Sequence, residues 1–226
     1  MKLAVLYSGG KDSNLALYRA MLYHDIEVLI NLFPMDPESY LFHVPNAKWT
    51  TLQAKAIGIP IIQWKTSGEK EKELEDLKRV LEYAISEYEI EGIVTGAIRS
   101  TYQAAKFQKV CRELGLWCFN PLWLSDEVEL LLNLINNKFK VIITGIFAYP
   151  LGKSLLGKVI DMEVIDLFKK FKKKYGLNPA GEGGEIETFV IDAPFFRERI
   201  EIVDYEIKYK EYSGVFIIRD AKLVKK

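Results

Sequence analysis

Apolar positions in the first two-thirds of the chain alternate between short unbroken runs and longer stretches repeating every three or four residues. The runs Lys2–Tyr7 (KLAVLY), Ile26–Phe33 (IEVLINLF), Ile59–Trp64, Gly92–Gly96 (GIVTG), Trp117–Asn120 and Lys140–Gly145 (KVIITG) read as strands. The stretches Ser13–Tyr23, Pro45–Ile57, Lys70–Tyr88, Ser100–Leu114 and Asp126–Asn136 read as amphipathic helices. In Lys70–Tyr88 the residues Leu74, Leu77, Leu81, Ala84, Ile85 and Tyr88 form one stripe, with Lys, Glu and Asp between them. This alternation predicts βαβ crossovers and an α/β fold: a doubly wound, mostly parallel sheet covered on both faces, with ligands beyond the carboxyl ends of the strands.

The character changes after Pro150. Asp161–Tyr175 reads as a basic amphipathic helix, NPAGEGGE breaks it, and ETFVIDAPFF, RIEIVDYEIKYKEY and GVFIIRDAKLV read as strands with a turn near Ser213-Gly214. The expected division is therefore a nucleotide-type domain over 1–155 and a smaller C-terminal α+β substrate-binding unit over 156–226. The 226 residues carry 31 basic and 31 acidic side chains. Zero net charge argues against a protein that binds nucleic acid through bulk electrostatics. No apolar run reaches the ~18–20 residues of a membrane span, and the N-terminus has no signal-peptide cleavage pattern, so the cytoplasm is the expected location. The two cysteines, Cys111 and Cys118, lack zinc or iron-sulfur spacing and read as buried thiols of a reducing compartment.

Ser8-Gly9-Gly10-Lys11-Asp12-Ser13 lies between the first strand and the first helix. Two glycines let the backbone turn and aim its N–H groups at an anion, and the helix N-terminus adds partial positive charge. Lys11 adds a full charge, Ser8 a hydroxyl donor, Ser13 a cap for the helix, and Asp12 an oxygen suited to Mg²⁺. The spacing is neither Walker A nor GxGxxG. Gly152-Lys153-Ser154 has a Walker-like tail, but Phe147 stands where that motif needs glycine.

SGGKDS at the end of a first strand resembles the ATP pyrophosphatase (PP-loop, adenine nucleotide alpha hydrolase-like) superfamily. That resemblance implies cleavage of ATP between the α and β phosphates and adenylation of a substrate oxygen. Gly96-Ala97-Ile98-Arg99-Ser100-Thr101-Tyr102-Gln103, Asn120-Pro121-Leu122-Trp123 and Gly181-Glu182-Gly183-Gly184-Glu185-Ile186-Glu187-Thr188, continued by FVIDAPFF, extend it. Together these segments, from residue 3 to about residue 196, are similar to the diphthine-ammonia ligase family.

The family resemblance implies ATP-dependent amidation of the diphthine carboxylate on translation elongation factor 2. Ammonium is the nitrogen source, and AMP and pyrophosphate are released. It implies ATP and Mg²⁺ as cofactors, with Ser8, Gly9, Gly10, Lys11, Asp12, Ser13, Gly96 and Ala97 on the nucleotide and Asp12 on the metal. Lys11, Asp12, Glu185 and Glu187 are the catalytic candidates. Glutamates of the acidic loop suit orientation of ammonium and acceptance of its proton, with Glu182, Gly183, Gly184 and Thr188 completing that loop. His43 and the strand-end residues Ser100, Tyr102, Gln103 and Trp123 are candidate substrate contacts. Tyr102, Trp123 and Phe195 are candidates for an aromatic cage around the trimethylammonium of diphthine. His24 reads as a surface residue.

The five lysines of Phe168–Tyr175 (FKKFKKKY) are a solvated helix face or a docking surface for a partner. A homodimer is compatible with the sequence. Two alternatives stay open from residues alone: a tRNA-modifying adenylating enzyme and an ATP-binding regulatory module without turnover.

Overall fold

A computed structural model describes residues 1–34, 46–66 and 70–226. The chain forms two compact units. The first comprises Met1–Ser8 and Asp12–Trp123, the second Gly9–Lys11 and Leu124–Lys226.

In the first unit, β1 (Lys2–Leu6), β2 (Asp25–Pro34), β3 (Ile61–Thr66), β4 (Gly92–Val94) and β5 (Trp117–Phe119) form a parallel sheet in the order β3-β2-β1-β4-β5. The helices α1 (Lys11–Met21), α2 (Thr50–Ile57), α3 (Lys70–Tyr88) and α4 (Thr101–Leu114) connect them. Strand order reverses between β1 and β4, the switch point at which such sheets bind ligands. The α3 stripe works as its period predicts: Leu77, Val80, Leu81 and Ala84 are buried against Val28, Ile30 and Ile93 of the sheet.

Two local expectations shift. α1 begins at Lys11 rather than Ser13, and Pro45–Ile57 contains a short 3-10 turn at Ala47–Trp49 followed by α2. Gly58 closes α2 in the left-handed conformation at φ 83°.

In the second unit, β6 (Lys140–Ile146), β7 (Ile186–Asp192), β8 (Arg199–Lys210) and β9 (Ser213–Val224) form a sheet in the order β7-β6-β9-β8, antiparallel throughout. Two helices, α5 (Glu127–Asn136) and α6 (Met162–Tyr175), belong to it. The compact units divide at Trp123–Leu124, whereas the sequence pattern changes character near residue 155. The difference comes from β6. Val141 through Ile146 are all buried, and a strand covered on both faces reads the same whether its neighbours are parallel or antiparallel. β6 is a central strand of the second sheet and not a further parallel strand of the first.

Asp161 caps α6 by accepting from the Val164 amide at 2.9 Å. Val164, Ile165 and Phe168 are buried, while Lys169, Lys170, Lys172, Lys173 and Lys174 lie at the surface. Lys172 reaches the nearly buried Glu127 of α5 at 2.5 Å. Among the described residues, no helix is long and apolar enough to cross a membrane.

Candidate functional site

The segment after β1 is held by side chains buried beneath it. The Tyr7 hydroxyl donates to Asn14 Oδ1 at 2.9 Å, and Asn31 Nδ2 donates to the Tyr7 carbonyl at 2.8 Å. Burial pushes the Tyr7 phenol up, so it stays protonated and acts as a donor. The chain turns at Gly9 with φ 81°, a value that favours glycine, and α1 then starts at Lys11. The loop therefore ends at a helix N-terminus, where unpaired amides and the helix dipole favour phosphate. Ser13 is not the helix cap. It lies in the first turn, with its hydroxyl 3.2 Å from the exposed Ser8 hydroxyl.

The tip of the loop is built into the second unit. The Gly9 carbonyl accepts from the Val190 amide at 3.1 Å, and the Lys11 amide donates to Thr188 Oγ1 at 3.1 Å. Lys11 is only 3% exposed, and its ammonium donates to the Ala180 carbonyl at 2.5 Å. Thus Lys11 holds the segment that leads into the acidic loop as well as carrying a charge. Its partner Ala180 is a residue that motif reading passes over.

At the end of β4, Thr95 is buried. Its amide donates to the Phe119 carbonyl at 2.9 Å, and its hydroxyl donates to Asn120 Oδ1 at 2.5 Å and accepts from the Ala97 amide at 3.2 Å. The Asn120-Pro121 turn is braced in its own right, because Arg19 of α1 donates to the Pro121 carbonyl at 2.8 Å. This bonding fixes Gly96 against the start of α1. A Cβ at Gly96 would sit 2.9 Å from both the Asp12 carbonyl carbon and the Ser13 nitrogen. Gly96→Ala is therefore expected to push the first turn of α1 off its path and to lower pyrophosphate release by about 10²-fold, the usual scale for ~1 Å misplacements. A pyrophosphate assay on the variant checks this, and an unchanged rate would remove the close approach from the account.

The remaining strand-end residues divide. Ser100 is the N-cap of α4, accepting from the Gln103 amide at 3.3 Å, so its hydroxyl has a structural duty. Gln103 and Tyr102 are exposed, and Lys106 places its ammonium 4.5 Å from the centre of the Tyr102 ring. Trp123 is half-buried, with its amide closing the turn onto the Asn120 carbonyl at 3.0 Å. Phe195 is half-buried and packs edge-on to Phe139 and Phe196, at 5.9 and 5.3 Å. His24 is half-buried, its ring 5.4 Å from that of Phe119. His43 lies outside the described residues.

The acidic loop is organised by one of its own glutamates. The Glu185 carboxylate accepts from the Gly183 amide at 2.9 Å and the Asn178 amide at 3.3 Å, and the Gly184 amide donates to the Gly181 carbonyl at 3.0 Å. Glu185 thus folds the turn containing Glu182, Gly183 and Gly184. Glu187 differs from it. Burial raises its carboxyl from the ordinary 4.5 to about 7. It pairs in register with Gly145 of β6, and the position a Cβ would take at 145 lies 3.0 Å from Glu187 Cβ and 2.7 Å from the Phe147 ring. In the sequence Gly145 reads only as the end of a strand, and Phe147 only as the residue that breaks a Walker-like spacing.

A carboxyl near neutrality beside a folded acidic turn suits proton transfer. Among the described residues, no group of three or more His, Cys, Asp or Glu gathers as a metal cage. Mg²⁺ in nucleotide sites is held by one or two carboxylates together with phosphate oxygens. Asp12, in the first turn of α1, fits that donor pattern.

The order β3-β2-β1-β4-β5, with a glycine loop entering α1 at the switch point, defines an α/β protein of the nucleotide-binding class. Comparison with known proteins narrows the class. The diphthamide synthase N-terminal domain matches residues 1–118, and the diphthamide synthase C-terminal domain matches residues 126–224. The chain belongs to the diphthamide synthase family.

Relatives named diphthine-ammonia ligase include proteins of Schizosaccharomyces pombe and Bos taurus. The first is 33% identical over 92% of this chain and 37% of its own length. The second is 31% identical over 92% of this chain and 85% of its own length. The Homo sapiens protein of that name is also 31% identical, again over 92% and 85%. Among solved structures, a predicted subunit of tRNA methyltransferase from Methanocaldococcus jannaschii superposes with a TM-score of 0.44 at 19% identity, covering 86% of this chain and 98% of that one.

Proposed function

We propose that the protein is an ATP-dependent carbon-nitrogen ligase that amidates the diphthine carboxylate of translation elongation factor 2 with ammonium. A carboxylate is a poor electrophile at neutral pH. One of its oxygens attacks the α-phosphorus of ATP, the bond to the bridging oxygen breaks, and pyrophosphate leaves. Ammonia then attacks the carbonyl carbon of the acyl-adenylate, and AMP departs with the original carboxylate oxygen.

The helix N-terminus after Gly9-Gly10, with Ser8, Lys11 and Ser13, cradles the phosphates. Asp12 would hold Mg²⁺, which would supply charge neutralisation for the leaving pyrophosphate. The backbone at Gly96 and Ala97 borders the nucleotide. The second step needs a base, because ammonium is protonated at neutral pH and cannot attack. Glu187 is the carboxyl suited to take that proton, and Glu182 contributes negative charge that attracts the cation. Glu185 shapes the turn through its bonds to Gly183 and Asn178. Ser100, Tyr102, Gln103, Trp123 and Thr188 stay candidates for substrate contact, with Ser100 and Thr188 acting through the backbone they hold.

The observation that carries this reading is the seating of Lys11 on Thr188 and Ala180, the residues on either side of the acidic turn. The test is to incubate the protein with ATP, Mg²⁺, ammonium and diphthine-bearing elongation factor 2. AMP and amide are expected to form in equal amounts. ADP as the nucleotide product would overturn the α-phosphate assignment.

A further inference from the structure

The chain has two cysteines, and the first unit brings them together. Cys111 lies in the last turn of α4 and is 1% exposed; Cys118 lies in β5 and is half-buried. After Gly115 ends the helix, the Leu116 amide donates to the Cys111 carbonyl at 2.8 Å, folding the chain back so that β5 runs beside the helix it has just left. Cys111 is part of the buried hydrophobic cluster beneath the sheet, and Cys118 packs against that same cluster. The interaction between the two thiols raises Cys111, which burial raises further, and lowers Cys118.

We infer that Cys111 and Cys118 are a reversible redox pair, in which the half-exposed Cys118 is the sulfur that meets an oxidant and the buried Cys111 is the resolving thiol. The division of labour follows from access and proximity, because oxidation favours accessible thiolates and a neighbouring thiol diverts the first product into a disulfide. With hydrogen peroxide as oxidant, the Cys118 thiolate attacks one peroxide oxygen. The O–O bond breaks, hydroxide leaves, and Cys118 becomes a sulfenic acid. The Cys111 sulfur then attacks the Cys118 sulfur, the S–O bond breaks, and the Cys111 proton leaves with that oxygen as water. The two sulfurs have together given up two electrons to the peroxide.

The bridge would fasten α4 to β5 just before Phe119 and Asn120, the residues that hold Thr95 and through it the strand end at Gly96. It closes a short loop, so it restricts the unfolded chain and raises the melting temperature of the protein by ~5 °C.

The experiment is to treat the intact protein with hydrogen peroxide, block free thiols, and map its peptides without reduction. The expected result is a peptide pair joining Cys111 to Cys118, lighter by two hydrogens and restored by dithiothreitol, together with the upward shift in melting temperature. Cys111→Ser should lose the bridge and advance to sulfinic acid at Cys118, and Cys118→Ser should leave Cys111 unoxidised under the same treatment. Sulfinic acid at Cys118 of the unaltered protein, or two free thiols after treatment, would overturn the pair.

Discussion

Replacing Lys11 with alanine is expected to lower the rate of pyrophosphate release from ATP by about 10²–10³-fold, the scale on which removal of one preorganised charge or donor acts. The expectation rests on where the ammonium sits. Lys11 is 3% exposed in the first turn of α1, with its amide on Thr188 and its ammonium on the Ala180 carbonyl. In such a place a positive charge is screened by little water, so in the proposed reaction it would act strongly on the charge that builds on the departing pyrophosphate. The alanine variant also leaves the Ala180 carbonyl without that donor, at a cost of ~1–3 kcal/mol in stability. Thermal melts run beside the assay separate the two effects: a folded variant that still releases pyrophosphate at the original rate removes Lys11 from the chemistry.

Glu187→Gln should abolish amide formation while leaving a folded protein, and its stability should respond to pH in a defined direction. The folded-state value of about 7 lies above the ordinary 4.5, so the native state binds the proton more tightly than the unfolded chain. The stability this contributes is fully present below about 4.5 and is lost as pH rises through about 7. Glutamine carries no charge to bury, so above neutrality the variant should be the more stable of the two, by roughly 1–2 kcal/mol with the carboxyl half-buried. In the native enzyme the amidation rate should climb through pH ~7 as the base loses its proton. Denaturant melts at several pH values test the first part, and a pH-rate profile the second. Unchanged amidation by the glutamine variant would transfer the role of base to another group.

Much of this was readable from residues because period and burial coincide. The α3 stripe from Leu74 to Tyr88, the strand-helix alternation of the parallel sheet and the SGGKDS turn each carry a local signature. β6 shows the limit, since its unbroken apolar run identifies a central strand but not the sheet that contains it. Among the site residues, reading by motif separates poorly what touches substrate from what supports it. Ser100 caps a helix and Glu185 binds the amides of its own turn, although both lie in segments that resemble functional motifs. The partners of Lys11, and the packing of Gly145 and Phe147 beside Glu187, come from pairings between distant parts of the chain that no local spacing encodes.

The proposed reaction splits ATP at its α-phosphate and places nitrogen on a protein-borne carboxylate. The most direct measurement supplies ¹⁵N-ammonium, ATP and Mg²⁺ to the protein with diphthine-bearing elongation factor 2 and follows the modified peptide by mass spectrometry. The peptide is expected to gain one ¹⁵N in exchange for a carboxylate oxygen, with one AMP formed for each nitrogen incorporated. AMP produced without nitrogen entering the peptide, while the substrate carboxylate stays unchanged, would contradict it.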